Sequence, residues 1–211
     1  SKEMSQKYEI PNLTSIPESE LFTPEGVNIQ QLFFYNDKDG RVSFESFLRQ
    51  YQGKRGWRID KKEKYVKITS VGGKKKIEVY ANFPKTEEGA DEIQKLFEEK
   101  NIKPHVIIHR GHSYYAEKTV KRITPDARIV FLGSCGGYRN ISEVLKRSPK
   151  AHVIYTKGVG TMFINDPMLK FLNDSLLRGG DLNWVEFWKS ADKKFAKNPD
   201  FRNYVPPYSN F

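Results

Sequence analysis

The chain holds a single cysteine, Cys135, among its 211 residues. That excludes an internal disulfide and any zinc or iron–sulfur centre built on several thiolates. Long apolar runs are missing as well. No stretch approaches the roughly 18 residues that a bilayer-spanning helix needs, so no membrane span is expected, and no signal peptide is visible. The chain opens on Ser1, which leaves export with removal of a signal open and the compartment unset. Carboxylates are the scarcer charge, 26 against 36 Lys plus Arg, for a net charge of +10. Such a balance invites a nucleic-acid reading. The clusters responsible are Lys54-Arg55, Lys61-Lys62, Lys64 and Lys74-Lys75-Lys76. The last two flank or sit in what reads as an exposed hairpin, where lysines solvate turns and discourage edge pairing. No binding motif accompanies them, and nucleic acid is not the expected partner.

No internal repeat is visible. The first 26 residues are polar and carry Pro11, Pro17 and Pro24 without a period, reading as an irregular lead-in to one domain over 27–211. Val27 to Tyr35 is strand-like. Phe44, Phe47, Leu48 and Tyr51 fall at i, i+3, i+4 and i+7 and predict a helix. Tyr65 to Val71 and Lys76 to Phe83 alternate with period 2 around Gly72-Gly73, a hairpin signal. Thr86 reads as the N-cap of a helix whose apolar face is Ile93, Leu96 and Phe97. Strands and helices then alternate: strand His105 to His109, helix Tyr115 to Ile123, strand Ala127 to Leu132, helix Ile141 to Arg147, strand His152 to Thr156. Helices near Pro167 to Leu177 and Asp181 to Phe195 close the chain before a Pro/Tyr-rich tail. The pattern predicts an α/β, three-layer fold with a mostly parallel central sheet and a small β-hairpin, whose ligands gather at the carboxyl ends of the strands.

Two residues stand just past such ends. Val106-Ile107-Ile108-His109-Arg110-Gly111 leads into His112, and Ile129-Val130-Phe131-Leu132-Gly133-Ser134 leads into Cys135-Gly136-Gly137. A free thiol has a pKa near about 8.5, so a nucleophilic cysteine needs an imidazole or a dipole beside it. A cysteine that is merely packed needs no clearing of small residues around its sulfur; Gly133, Ser134, Gly136 and Gly137 provide one. Adjacent parallel strands lie about 4.8 Å apart, so the two strand ends bring this pair within reach of each other.

The apolar strand ending in Gly-His, followed by a next strand ending in a small residue plus cysteine, resembles the caspase-like cysteine peptidases, the superfamily of caspases, gingipains, clostripain and separases. The Gly-His element is most similar to that of separases. The resemblance covers about residues 27 to 165 by topology. It implies a His112 and Cys135 dyad hydrolysing peptide bonds in a peptide or protein substrate, with Gly111, Ser113, Ser134 and Gly136 supporting the oxyanion. Ser113 stands where the family usually has glycine, and the short separation of the dyad leaves room for one short helix. It also implies that the first-strand loop, Asn36 to Asp39, and Thr156 to Gly160 line the specificity pocket. Asp37 or Asp39 facing in favours Arg or Lys, and Lys157 facing in favours an acidic residue. No metal or other cofactor is implied. The rival expectation is an inactive caspase-like domain that binds a protein or peptide in the same cleft.

Other motifs carry less. Gly133-x-Cys135-x-Gly137 has nucleophile-elbow spacing, as in class I glutamine amidotransferases, but the later histidine, His152, starts a strand at the opposite edge of the sheet. Asp37-x-Asp39-Gly40 resembles part of an EF-hand loop that has lost two carboxylates. His109-x-x-His112 with Cys135 makes a poor zinc geometry. Trp184, Phe187 and Trp188 read as the buried face of a terminal helix.

Overall fold

The computed structural model describes residues 12–209. In chain order the elements are β1 (Ser15–Ile16), β2 (Val27–Phe34), α1 (Lys38–Arg49), β3 (Trp57–Lys61), β4 (Tyr65–Ser70), β5 (Lys76–Asn82), α2 (Glu88–Glu99), β6 (Val106–Arg110), α3 (Ala116–Val120), β7 (Ile129–Leu132), α4 (Ile141–Arg147), β8 (His152–Thr156), α5 (Met162–Arg178), β9 (Leu182–Asn183), α6 (Trp184–Phe195) and β10 (Tyr204–Val205). Eight strands form one sheet in the order β10-β8-β7-β6-β2-β5-β4-β3, and β1 with β9 makes a second, two-stranded antiparallel sheet. The five central strands β5, β2, β6, β7 and β8 are parallel; β10, β4 and β3 add antiparallel edges.

Burial on both faces explains why the central strands are nearly continuous apolar runs rather than alternating ones. Period-2 geometry deals their side chains to opposite layers. Leu32, Phe34, Ile108 and Phe131 face a core shared with α1, α5 and α6. Phe33, Ile107, Val130 and Leu132 face a second core shared with α2, α3 and α4. The architecture is therefore a mixed α/β fold of three layers. The same dealing sends His109 and Arg110, neighbours in sequence, to opposite sides of the sheet.

Several elements differ from the sequence expectation for visible reasons. Thr86 does not cap α2: its N–H donates to the Phe83 carbonyl in a turn, and the N-cap is Glu87 with no side-chain cap. Helix α5 begins at Met162, with the Thr161 hydroxyl accepting from the Phe163 N–H as N-cap and Pro167 inside the helix. The segment from Tyr115 is a short 3-10 turn, Ser113–Tyr115, followed by only five α-helical residues. The lead-in is docked rather than loose over its described part, with Ile16 and Leu21 fully buried; residues 1–11 lie outside the described range. Gly72 and Gly73 take φ of +85° and +76° in the β4–β5 hairpin, as the sequence signal requires. Trp184, Phe187 and Trp188 are buried together. No helix among the described residues is long and apolar enough to cross a membrane.

Two histidines, His109 and His152, are buried, and a third, His105, is half-buried. His105 Nδ1 accepts from the Ile29 amide at 3.0 Å and His152 Nδ1 accepts from Trp184 Nε1–H at 3.0 Å. Burial pushes both, and His109, down to about 4; Arg128 adds repulsion at His105 and His152. Unfolding raises each to about 6.5, so the unfolded chain takes up these protons first and stability falls as pH drops from 6.5 toward 4. Glu18 and Glu117, whose pKa values are lowered by Lys75 and Lys121, release their contributions only below their ordinary value of 4.5. The window from pH 6.5 to 4.5 therefore reports the histidines. The urea midpoint is expected to be flat from pH 8 to 7 and to decline through that window; a midpoint constant down to pH 4.5 would refute the assignment.

Candidate active site

Strand β5 lies on one side of β2, whereas β6, β7 and β8 follow on the other. In open α/β sheets such a reversal leaves a crevice at the carboxyl ends of the strands. A cavity of about 280 Å³ occupies this place, and its wall brings together His112, Ser113, Ser134 and Cys135 with Asp39 of α1 and Met162 of α5. Cys135 and His112 are both exposed to it. Gly111 also lines the cavity; Gly136 stands just behind Cys135 in a left-handed conformation, φ +66°.

The loop carrying Cys135 is fastened on three sides by hydrogen bonds. Asn165 Nδ2 donates to the Gly133 carbonyl at 3.1 Å, and the buried Tyr204 hydroxyl donates to Asn165 Oδ1 at 2.6 Å. The Thr156 hydroxyl donates to the Ser134 carbonyl and accepts from the Gly137 N–H at 3.2 Å. The Gly136 N–H donates to the Gly158 carbonyl at 2.9 Å. Small residues are required by this packing: a Cβ on Gly160 would collide with the Gly133 carbonyl, and one on Gly133 would collide with Asn165. These bonds leave the Cys135 amide, and across the cavity the Ser113 amide, without an acceptor among the described residues. Two such N–H groups beside a nucleophile can stabilise an oxyanion.

The loop carrying His112 rests on a buried relay. The Tyr35 hydroxyl meets Thr119 Oγ1 at 2.8 Å, Thr119 Oγ1 meets His109 Nδ1 at 2.7 Å, and His109 Nε2 meets the His112 carbonyl at 3.2 Å. A carbonyl can only accept, so the neutral His109 ring carries its proton on Nε2 and its Nδ1 accepts from Thr119. Burial keeps it neutral, with its pKa pushed down to about 4. The Tyr35 ring stacks on Tyr115 at 5.1 Å behind the same loop. On His112 itself, Nδ1 accepts from the Tyr114 amide at 3.1 Å, which leaves Nε2 as the ring nitrogen open to the cavity.

A charge pair that the sequence pattern does not reveal reaches from the cavity wall into the interior. Arg110, at the end of β6, pairs with Asp166 of α5, whose second oxygen accepts from the Ser46 hydroxyl of α1. Both charged side chains are buried, at 2% and 6% exposure. The signal was an arginine closing an apolar strand and an aspartate among apolar helix residues. Ser134 Oγ, also buried in the cavity wall, has no hydrogen-bond partner among the described residues.

Of the three charged residues considered for specificity, Asp39 lies in the wall. Asp37 and Lys157 do not. Asp37 is the N-cap of α1, its Oδ1 accepting from the Gly40 N–H at 3.0 Å, and Lys157 is exposed with its N–H donating to the Asn203 carbonyl at 2.8 Å. His109 has both ring nitrogens engaged and is not available to a metal, and no group of three or more His, Cys, Asp or Glu among the described residues is placed to hold one.

Gly160→Ala is expected to lower stability by about 1–3 kcal/mol through backbone overpacking, while Gly56→Ala, where a Cβ meets nothing within 4 Å, leaves the urea midpoint nearly unchanged. Equal midpoints would refute the close approach. Thr119→Val strands the Tyr35 hydroxyl and His109 Nδ1, and is expected to cost about 1–3 kcal/mol. Thr119→Ser keeps the relay and should unfold at higher urea than the valine variant; the reverse order would remove the relay as a stabilising element.

No protein-family model matches the chain, and no curated protein matches it by sequence.

Proposed function

We propose that the protein is a cysteine endopeptidase of the caspase-like superfamily, with Cys135 as nucleophile and His112 as its proton-transfer partner. The observation that carries this is one cavity, at the carboxyl edge of the parallel sheet, whose wall holds His112, an exposed Cys135 and two acceptor-free amides. The resemblance of the two strand ends to that superfamily supports the same reading.

In this mechanism Cys135 Sγ bonds to the carbonyl carbon of the scissile peptide while the thiol proton passes to His112 Nε2. The oxyanion accepts from the Cys135 and Ser113 amides, each donor being worth about 3 kcal/mol. Serine in place of glycine leaves this role intact, because the donor is the backbone N–H. Collapse breaks the C–N bond, His112 Nε2 returns the proton to the leaving amine, and water hydrolyses the thioester, freeing the acid and the thiol. Asp39 in the wall supports a basic side chain next to the scissile bond.

One observation favours a second reading, a peptide-binding cleft without turnover. With Nδ1 accepting from Tyr114, the neutral His112 ring carries its proton on Nε2 and has no lone pair there for a thiol proton. No hydrogen bond among the described residues joins His112 to Cys135. Catalysis therefore requires release of the Tyr114 contact; binding does not.

The separating experiment is alkylation of Cys135 by iodoacetamide at neutral pH in the wild type and in His112→Ala, paired with turnover of a peptide library. A drop of about tenfold or more in the variant, with library cleavage by the wild type alone, supports the peptidase. Equal alkylation rates and no cleavage move the assignment to the binding cleft.

A further inference from the structure

Seven large hydrophobic side chains are exposed among the described residues, and five of them stand on the segments that surround the cavity. Val42 is in its wall. Tyr114 (81% exposed) adjoins Ser113, Val159 adjoins Gly160, Phe163 (71% exposed) adjoins Met162, and Tyr138 follows Cys135 by one turn. They come from four separate parts of the chain, yet the topology gathers them at one edge of the sheet. Scattered exposed apolar residues need no explanation, but a collection around a polar cleft is the composition of an interaction site, where Tyr and Phe act as anchors. The charge nearest the cavity leans positive. Lys38, Arg41, Arg139 and Lys157 are exposed there against Asp39, with the exposed carboxylates Glu45 and Glu117 one turn further along their helices and Glu117 paired with Lys121. Arg139 lies over the Tyr138 ring, 5.8 Å from its centroid, so cation and aromatic surface are offered together.

We propose that these five side chains form a docking rim for an extended polypeptide segment that carries aromatic or aliphatic residues on both sides of its cavity-bound residue and is acidic in its flanks. The proposal rests on the reading of the cavity as a peptide cleft and holds whether or not Cys135 turns the peptide over. An extended strand displays its side chains alternately, so flanking apolar groups reach rim positions on both sides while the central side chain enters the cavity. The acidic flanks meet the four exposed cations, which raises the association rate and rejects basic segments.

The test uses the full chain with Cys135→Ala, to prevent turnover, and three fluorescein-labelled peptides of equal length sharing a central arginine. The first has flanking Phe, Leu, Asp and Glu; in the second Ser replaces the apolar residues; in the third Lys replaces the acidic ones. Fluorescence anisotropy is expected to show the first binding at least about tenfold more tightly than either control. Tyr114→Ser with Phe163→Ser should weaken it by a similar factor at an unchanged melting temperature, while Val71→Ser, at an exposed valine away from the cavity, should not. Equal affinity for the first two peptides, unchanged binding by the rim variant, or no binding of any peptide overturns the proposal. The peptidase reading fails separately. Rim-dependent binding of a peptide that the wild type leaves intact sustains the rim and removes the peptidase, whereas cleavage indifferent to the rim variant does the opposite.

Discussion

The site depends first on the buried pair of Arg110 and Asp166. Arg110 ends the strand that delivers His112 two residues later, and Asp166 sits on the helix whose first turn closes the cavity. The residue before Asp166 is Asn165, which holds the Gly133 carbonyl and with it the loop of Cys135. One ion pair thus couples the histidine side of the cleft to the cysteine side, and Ser46 extends the coupling to α1. Burying two charges is unfavourable unless they meet, and removing one partner from such a pair commonly costs about 3–5 kcal/mol because the other is left unpaired. An apolar pair could fill the same volume. What the charges add is a defined position of α5 against β6, which shape-tolerant apolar packing enforces less strictly.

Around that tie the molecule divides its work between two kinds of interaction. The strands are held by apolar burial in two cores that tolerate repacking. The loops at their carboxyl ends are held by directional bonds: Tyr204 to Asn165 to Gly133, Thr156 to Ser134, Tyr35 to Thr119 to His109 to His112. Each bond has its partner supplied from a different element, so the loops are fixed only once the sheet and helices have assembled. Leaving the Cys135 and Ser113 amides out of this otherwise well-bonded scaffold is the feature that most distinguishes the cavity from ordinary loop packing.

Much of the sheet was legible because a strand buried on both faces writes itself as an apolar run, and β6, β7 and β8 do so almost residue for residue. Their ends locate His112 and Cys135 with no further information. Strand β3 was not legible: its sequence, Trp57-Arg58-Ile59-Asp60-Lys61, is an edge pattern in which charge hides the period-2 alternation. The start of α5 was obscured by Pro167, which reads as a first-turn proline but lies in the helix interior behind Thr161 as N-cap. The polar supports of the site were illegible for a different reason. Asn165 and Tyr204, or Tyr35 and Thr119, are far apart in the chain, and neither residue of such a pair has an unusual local context. Only Arg110, a full charge closing an apolar strand, carried a local signal, and its partner could not be inferred without the fold. Asp37 illustrates the limit from the other side, since a capping aspartate and a specificity aspartate look alike in sequence.

Tyr114 belongs both to the proposed rim and to the surroundings of His112. It is the most exposed large hydrophobic residue among the described residues, and its amide is the donor that occupies His112 Nδ1. As long as that bond stands, the neutral imidazole presents an N–H rather than a lone pair to the cavity. Moving the proton to Nδ1 places two donors face to face, so the tautomer suited to accept a proton from Cys135 and the present position of the Tyr114 backbone exclude each other. A ligand that grips the Tyr114 ring and shifts its backbone therefore also frees Nδ1. The energy involved is that of one exposed hydrogen bond, about 0.5–1.5 kcal/mol, well within what an aromatic contact at a peptide interface supplies. On the proposed function, binding at the rim and readiness of His112 would be coupled through a single residue, without any movement of the sheet, of the Arg110 and Asp166 tie or of the Cys135 loop.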